Sequence, residues 1–279
     1  MVADVLRPRA GSSAKALLLT LLGEFVLPHG GAAWTGTLVR ALALLDVEEK
    51  NARQALARTA AQGLVVGTRA GRRVRWTLTP AGVDLLTAGT RRIYEFGRAD
   101  VAWDQHWLVV LCPVPEEQRA KRHQLRSRLG FAGFGFVGAG MAITPHLDRE
   151  PVANAVLRDL DLVGGAVVFH AETGSLTPAV DLLHRAWDID ELGRRYSAFL
   201  DAFDGSQPEG DAEVLAALAL LVHEWRRFPF VDPEIPASLL PVDWPGRPAK
   251  VRFDALHTAW APRANACYVA LEDASATAG

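Results

Sequence analysis

The chain has 279 residues, 49% of them hydrophobic and 22% charged, with a formal net charge of −2. That composition supports a large core and excludes a single small module; length alone suggests about two domains, and the pattern along the chain suggests three. Two cysteines far apart, Cys112 and Cys267, exclude a disulfide framework or a cysteine metal site, so both are expected to be reduced and structural.

The charge is unevenly spread. Residues 1–98 hold 14 Lys and Arg against 7 Asp and Glu, a net of +7, whereas the remaining 181 residues hold 16 against 25, a net of −9. A basic first third joined to an acidic remainder suits a module that meets a polyanion attached to one that does not. The opening MVADVLRPRAGSSAK lacks the basic-then-apolar order of a signal peptide. The longest apolar run, Val214 to Val222, is too short to span a bilayer and leads into His223 and Glu224. The expectation is a soluble cytoplasmic protein with no membrane partner.

Ser12 and Ser13 offer N-caps to an apolar helix, AKALLLTLLGEFVL, which Pro28, Gly30 and Gly31 end. Thr35 opens a second helix with Leu38, Leu42 and Leu45 on one face, and Asp46 and Val47 turn the chain into a third. In that third helix Ala52, Ala55, Leu56 and Thr59 face inward. Asn51, Gln54 and Arg58 form an outward stripe, flanked by Lys50 and Arg53. Arginine pairs with guanine edges, Asn and Gln pair with adenine, and lysine and arginine meet phosphates, which is the chemistry of a recognition helix in the major groove. An ordinary solvated face is the alternative for such a stripe taken alone.

The stripe does not stand alone. After Gly63, the runs Leu64 to Val66 and Val74 to Leu78 flank a turn at Ala70 and Gly71, predicting a hairpin whose tip holds Arg69, Arg72, Arg73 and Arg75. A basic hairpin directly after a helix-turn-helix reads as a wing that contacts phosphates or the minor groove. Pro80 then starts a helix, PAGVDLLTAGTRRIYEFG, expected to link domains or build a dimer contact.

From Trp107 the texture changes. HWLVVLCPVPE predicts a buried strand. EEQRAKRHQLRSRLGFAGF follows as a helix with Leu125 and Leu129 inward, then a strand, a helix and another strand to about residue 176. This order suggests a ferredoxin-like α/β sandwich. Gly133, Gly135 and Gly138 match a dinucleotide GxGxxG fingerprint. That motif needs a strand before it and a helix opening after it, and here an arginine-rich helix precedes and an extended segment follows. Close packing of a strand explains the glycines better.

Beyond Pro178 the chain reads as helical, and a long apolar helix ends in His223, Glu224, Trp225, Arg226, Arg227 and Phe228 before a proline-rich loop. One reading of His223, Trp225, Arg226 and Arg227 is an anion pocket floored by aromatics. The other is an ion-pair knot between Arg226 or Arg227 and Asp232, Glu234 or Asp243, since unpaired charge in a core is costly. Nothing assembles a nucleophile with a base and an orienting group, so no catalytic residue, cofactor or metal site is expected. The fold class is α+β, with an N-terminal winged helix-turn-helix over 1–98, a ferredoxin-like central domain over 99–176 and a helical C-terminal domain over 177–279.

Several segments together resemble the PaaX family of phenylacetate-catabolism repressors: SAKALLLTLLGEFVLPHGGAAWTGTLVRAL, QALARTAAQG, GRRVRWTLTPAG, GTRRIYEFG and HEWRRFPFVDPEIPASLLPVDWPG. The resemblance runs across nearly the whole chain in the family's order. It implies a homodimer that represses a catabolic operon by binding a palindromic double-stranded DNA operator. It further implies release by a small-molecule effector, phenylacetyl-CoA or another acyl-CoA thioester. It also implies a central domain similar to CRISPR-adaptation nucleases, although Asp104 precedes the first strand of that domain and no second acidic ligand accompanies it. An enzyme acting on a CoA ester or nucleic acid, targeted by the winged helix, is the alternative function.

Overall fold

The computed structural model describes residues 13–97 and 102–277. Ser12 and the expected boundary between residues 98 and 99 lie outside them. The fold is α+β, with two small antiparallel sheets and a helical C-terminal part. Among the described residues no helix is long and apolar enough to cross a membrane. The chain packs as two compact units. Among the described residues, one is built from 13–96, 198–227 and 248–277, and the other from 97, 102–197 and 228–247. Neither unit is a single run of sequence.

In the first unit, α1 (Ala14–Leu21) starts at Ser13, whose hydroxyl accepts from the Ala16 N–H at 3.2 Å. The helix widens at its end into a π turn over Leu22–Val26, where the Leu27 N–H reaches back five residues to the Leu22 carbonyl. β1 (Ala32–Trp34) leads directly into α2 (Thr35–Ala43), and α3 (Glu49–Ala61) follows a turn in which Asp46 takes a positive φ. Leu38, Leu42, Leu45, Ala52, Ala55 and Leu56 are all essentially fully buried. Alanines at 52 and 55 let α3 approach its neighbours closely, because nothing beyond a methyl group separates the helices there.

Gly63 and Gly71 adopt the positive φ that frees them to end α3 and to turn the hairpin. β2 (Val65–Ala70) and β3 (Arg73–Leu78) pair from Val65↔Leu78 to Ala70↔Arg73, leaving Gly71 and Arg72 as the turn. β1 adds to the far side of β3, with Trp34 opposite Arg75, giving the order β1-β3-β2. α4 (Pro80–Glu95) is capped by Thr79, whose hydroxyl accepts from the Gly82 N–H at 3.1 Å, with Pro80 in the first turn.

This unit is completed from the other end of the sequence. α9 (Asp211–Trp225) is buried on every side, as expected of a helix apolar all round, and contacts α1. α10 (Gly246–Thr277) is 32 residues long and carries Pro262 within it. Trp225 stacks on Phe253 at 4.8 Å between ring centres and gives its indole N–H to the Ile93 carbonyl at 3.3 Å. Tyr94 shares a partly buried cluster with Glu24 and His257: its hydroxyl lies 2.5 Å from Glu24 Oε2 and 2.9 Å from His257 Nε2. The end of α4 therefore packs inside its own unit.

In the second unit, β4 (Trp107–Leu111), β5 (Gly135–Phe136), β6 (Met141–Thr144) and β7 (Val167–Ala171) form an antiparallel sheet in the order β5-β6-β4-β7. α5 (Arg119–Phe131) and α6 (Glu150–Asp159) cover one face through Leu125, Leu129, Ala153, Val156 and Leu157 against Leu108 and Val110. α7 (Ala179–Ala186) and the chain around Ile235 and Leu239 cover the other, against Trp107 and Val109. β4 alternates between two cores, so its apolar run is continuous. α8 (Ile189–Ala202) leads from this unit into the first.

The glycine-rich segment has no nucleotide geometry. α5 precedes it, β5 lies within it, the strand β6 follows, and a Cβ on Gly135 would run into the ring of Trp187.

At Gly82 a Cβ would run into the carbonyl oxygen of Leu64, which is backbone and cannot step aside. Gly82→Ala is expected to destabilise the protein by about 1–3 kcal/mol through overpacking, whereas Gly89→Ala, where nothing lies within 4 Å, should be neutral or stabilising. Urea denaturation of the two variants checks the contrast.

Candidate nucleic-acid interface

α3 owes its polar face to its buried one. Ala52, Ala55, Leu56 and Thr59 are the side it packs with. Thr59 returns its hydroxyl proton to the Ala55 carbonyl at 2.8 Å, so no polar atom is left unsatisfied on that side. Lys50, Asn51, Gln54 and Arg58 are exposed and carry no partner among the described residues. Arg53 is also exposed, but it is forked onto Glu49 one turn earlier, Nε to Oε1 at 2.8 Å. An exposed pair of that kind contributes little and separates readily.

The four hairpin arginines do not share one environment. Arg69, Arg72 and Arg75 are exposed and Arg73 is half-buried. The pairing sets Arg69 opposite Val74 and Arg75 opposite Thr68, so Arg69 projects from the other face of the ribbon than Arg73 and Arg75. The guanidinium carbons of Arg73 and Arg75 lie 4.6 and 5.6 Å from the centre of the Trp34 ring. Contacts of that length give cation–π attraction and pin both side chains along the sheet. Arg73 also donates Nη1 to the Ser275 carbonyl at 2.8 Å and to the Ala276 carbonyl. It thereby satisfies acceptors that the last turn of α10 cannot satisfy itself.

The start of α2 is fixed from the same helix. Glu272 Oε2 accepts from the Trp34 N–H at 3.2 Å and from the Thr37 hydroxyl at 2.7 Å. Trp76 gives its indole N–H to the Thr35 hydroxyl at 2.9 Å, and Thr35 donates onward to the Val74 carbonyl at 3.0 Å. These bonds tie the hairpin, the start of α2 and the end of α10 together.

Arg40, on α2, escaped the reading of the sequence. It is exposed, has no partner among the described residues, and lines the same cleft as Arg53, Arg72 and Arg73. Its only local signal was a single basic residue in an otherwise apolar helix. The cleft is a product of tertiary structure.

The second predicted cluster divides between core and surface. His223 is buried and hydrogen-bonds Thr20 Oγ1 through Nδ1 at 3.2 Å; Trp225 is fully buried. Arg226 is half-buried, and its Nε has no hydrogen-bond partner; Arg227 is exposed and pairs with Glu224 at 3.4 Å. The loop carboxylates have partners in their own unit. Asp232 accepts from the Tyr196 hydroxyl and from the Glu234 N–H, while Glu234 pairs with Arg149 at 3.5 Å. Among the described residues no group of three or more His, Cys, Asp or Glu side chains could hold a metal ion.

Burial, reinforced by the positive charges of Arg226 and Arg227, pushes the His223 imidazole down from 6.5 to about 4. Between those values the unfolded chain takes up a proton that the folded chain refuses. His223 should therefore cost stability as pH falls from about 7 to about 4, with a slope of up to about 1.4 kcal/mol per pH unit and no effect above that window. Asp232, raised to about 6 chiefly by burial, works in the opposite sense: the folded state holds its proton between about 6 and 4. Urea midpoints at pH 7 and pH 5 should show a larger loss for the native chain than for His223→Gln. Equal losses would assign the acid sensitivity elsewhere.

Three family descriptions match the chain in succession: "PaaX-like protein" over residues 13–82, "PaaX protein central Cas2-like domain" over 100–183 and "PaaX-like protein C-terminal domain" over 187–270. The transcriptional repressor PaaX of Escherichia coli (strain K12) is 26% identical over 249 residues, covering 85% of this chain and 77% of that protein. Among solved structures, an uncharacterized protein from Mycobacterium tuberculosis superposes with a TM-score of 0.62 at 21% identity, covering 91% of this chain and 98% of that one. The last likeness is one of fold.

Proposed function

Because the chain belongs to the PaaX family, we propose that it is a transcriptional repressor whose first 98 residues form a winged helix-turn-helix that reads double-stranded DNA. The observation that carries this reading is the exposed, unpartnered row of Asn51, Gln54 and Arg58 on α3, directly followed by a hairpin bearing exposed Arg69 and Arg72. In it α3 enters the major groove, where Gln54 and Asn51 have the donor and acceptor pair that matches adenine and Arg58 the fork that matches guanine. Lys50 and Arg53 meet flanking phosphates, and the hairpin arginines meet backbone or minor groove. Arg73 and Arg75, tied to Trp34 and α10, hold the hairpin in position as well as adding charge.

The remainder of the chain carries the partner and the signal. The strand order β5-β6-β4-β7 with α5 and α6 on one face supports a ferredoxin-like central domain over residues 99–176. Residues 177–279 form the helical part assigned to effector and dimer. The protein acts as a homodimer on a palindromic operator of a catabolic operon and lets go when an acyl-CoA thioester, phenylacetyl-CoA in the first instance, binds. Arg226, whose Nε is buried without a hydrogen-bond partner, is the cation assigned to that effector. His223 and Trp225 support it from the core, and Arg227 lies at the rim.

Fluorescence anisotropy against DNA from upstream of its own gene tests the DNA reading. Gln54→Ala and Arg58→Ala should each cost about 1–3 kcal/mol on the operator and little on unrelated DNA. Equal affinity for both duplexes in the native chain, unchanged in these variants, would end the reading.

Release is tested with the same duplex. Phenylacetyl-CoA should displace the native protein and raise its melting temperature with ligand concentration, while Arg226→Ala should bind DNA normally and ignore the thioester. A variant that fails to fold would assign Arg226 to the core instead.

A further inference from the structure

Between the start of α2, the side of α3 and the hairpin turn lies a cleft of about 260 Å³. Arg40, Arg53, Arg72 and Arg73 line it together with Trp34 and Gly36. Among the described residues no carboxylate lines it, although Arg53 keeps Glu49 at its back and Arg73 keeps the α10 carbonyls. Arg40 and Arg72 have no partner among the described residues. Four guanidinium groups around one small space repel one another, and the arrangement is stabilised when an anion enters. The planar fork of arginine fits the oxygens of a phosphate, which it can hold with two parallel hydrogen bonds.

Size and position narrow the occupant. The cleft lies below the roughly 300–1,000 Å³ typical of sites that enclose a whole small molecule, so an acyl-CoA does not fit inside it. A phosphate with its adjoining sugar does. Part of its wall, Arg53 of α3 and Arg72 to Val74 of the hairpin, belongs to the two elements assigned above to DNA; the start of α2 and Ser275 of α10 complete it. Gly36 leaves the start of α2 without a side chain toward this space; a Cβ there would already lie 3.2 Å from Ser275 Oγ.

We infer that this cleft seats one backbone phosphate of the DNA, gripped by Arg40 and Arg72 and backed by Arg53 and Arg73. The inference rests on the DNA reading of α3 and the hairpin. It adds Arg40 as a positioning residue that touches no base, and it gives α10 a part in binding, because the last turn of α10 holds Arg73 against the cleft wall.

The test is anisotropy with the full chain on an operator duplex and on an unrelated duplex, across about 50 to 200 mM salt. Arg40→Ala should weaken both duplexes by a similar factor, roughly tenfold, and lower the salt slope by about one. Arg40→Lys keeps the charge without the fork, so it should restore the slope and only part of the affinity. Arg40 is exposed, so an unchanged melting temperature is expected, and Arg72→Ala gives an independent second route. Unchanged affinity and slope in both alanine variants, while the native chain binds DNA, would overturn the inference. A loss confined to the operator duplex would also overturn it, making Arg40 a base reader. Native protein that binds neither duplex would instead remove the DNA reading beneath it. In a separate arm inorganic phosphate is the probe. A thermal shift that saturates at millimolar phosphate and is lost in Arg40→Ala, with DNA binding intact, would assign the cleft to a free phosphate anion and not to DNA.

Discussion

Two helix ends brace each other in the first unit, and the candidate interface depends on that exchange. Glu272, near the end of α10, gives its carboxylate to the start of α2, where free N–H groups and the positive end of the helix dipole favour an acid. Arg73, on the hairpin, gives its guanidinium to the end of α10, where free carbonyls and the negative end favour a cation. Contacts of this kind contribute about 0.3–1 kcal/mol each when exposed and up to about 2 when partly buried. Their geometric effect is larger than their energy. Without them the hairpin would be a two-stranded ribbon with a short third strand, a structure of marginal stability by itself. With them its arginines have fixed directions.

The bracing explains why the compact unit gathers chain from both ends. A basic module of three helices and a small sheet has few large apolar side chains to spare, because its exposed α3 face is polar. Here α9 and α10 supply what is missing. Trp225 lies between Phe253, Phe199 and Phe96, and Tyr268 stacks on Phe25 at 5.5 Å between ring centres. Removing the C-terminal helices would therefore expose the underside of the N-terminal module. The three family segments follow one another in sequence, but the first and third share a core.

The same packing bears on what the His223 to Arg227 segment can do. A helix buried on every side turns some of its residues inward whatever their chemistry, and α9 turns His223 and Trp225 that way. His223 is kept neutral by burial and by the cations that follow it. The charges that remain near the surface are at the end of the helix, where Arg226 is only partly covered and Arg227 holds Glu224. A buried guanidinium nitrogen without a hydrogen-bond partner, as Arg226 Nε is, is costly unless something meets it, which is the ground for proposing Arg226 as the contact for an effector.

Much of this was legible in the residues because it was local. Ser13 and Thr79 as caps, Gly63 and Gly71 as turns, the Ala52, Ala55, Leu56, Thr59 face against the Asn51, Gln54, Arg58 face, and the double-sided apolar run of β4 all follow from spacing within a few residues. The glycine-rich segment could be separated from a nucleotide site because its neighbours in sequence were wrong. What could not be read was set by contacts far along the chain. β1 is three residues long and exists because β3 pairs with it more than forty positions later. The carbonyls that hold Arg73 are 202 and 203 residues away, and the partner of Thr37 is 235 away. α10 hides behind Pro262 and a mixed polar and apolar pattern. Periodicity reports which face of an element is apolar, so the sequence by itself determined the elements of the basic module and which face of α3 stays exposed and polar. Only tertiary structure decides which distant element covers an apolar face. It alone therefore decided that the hairpin rests on α10, that Arg40 shares a cleft with Arg72, and that His223 and Trp225 belong to the core.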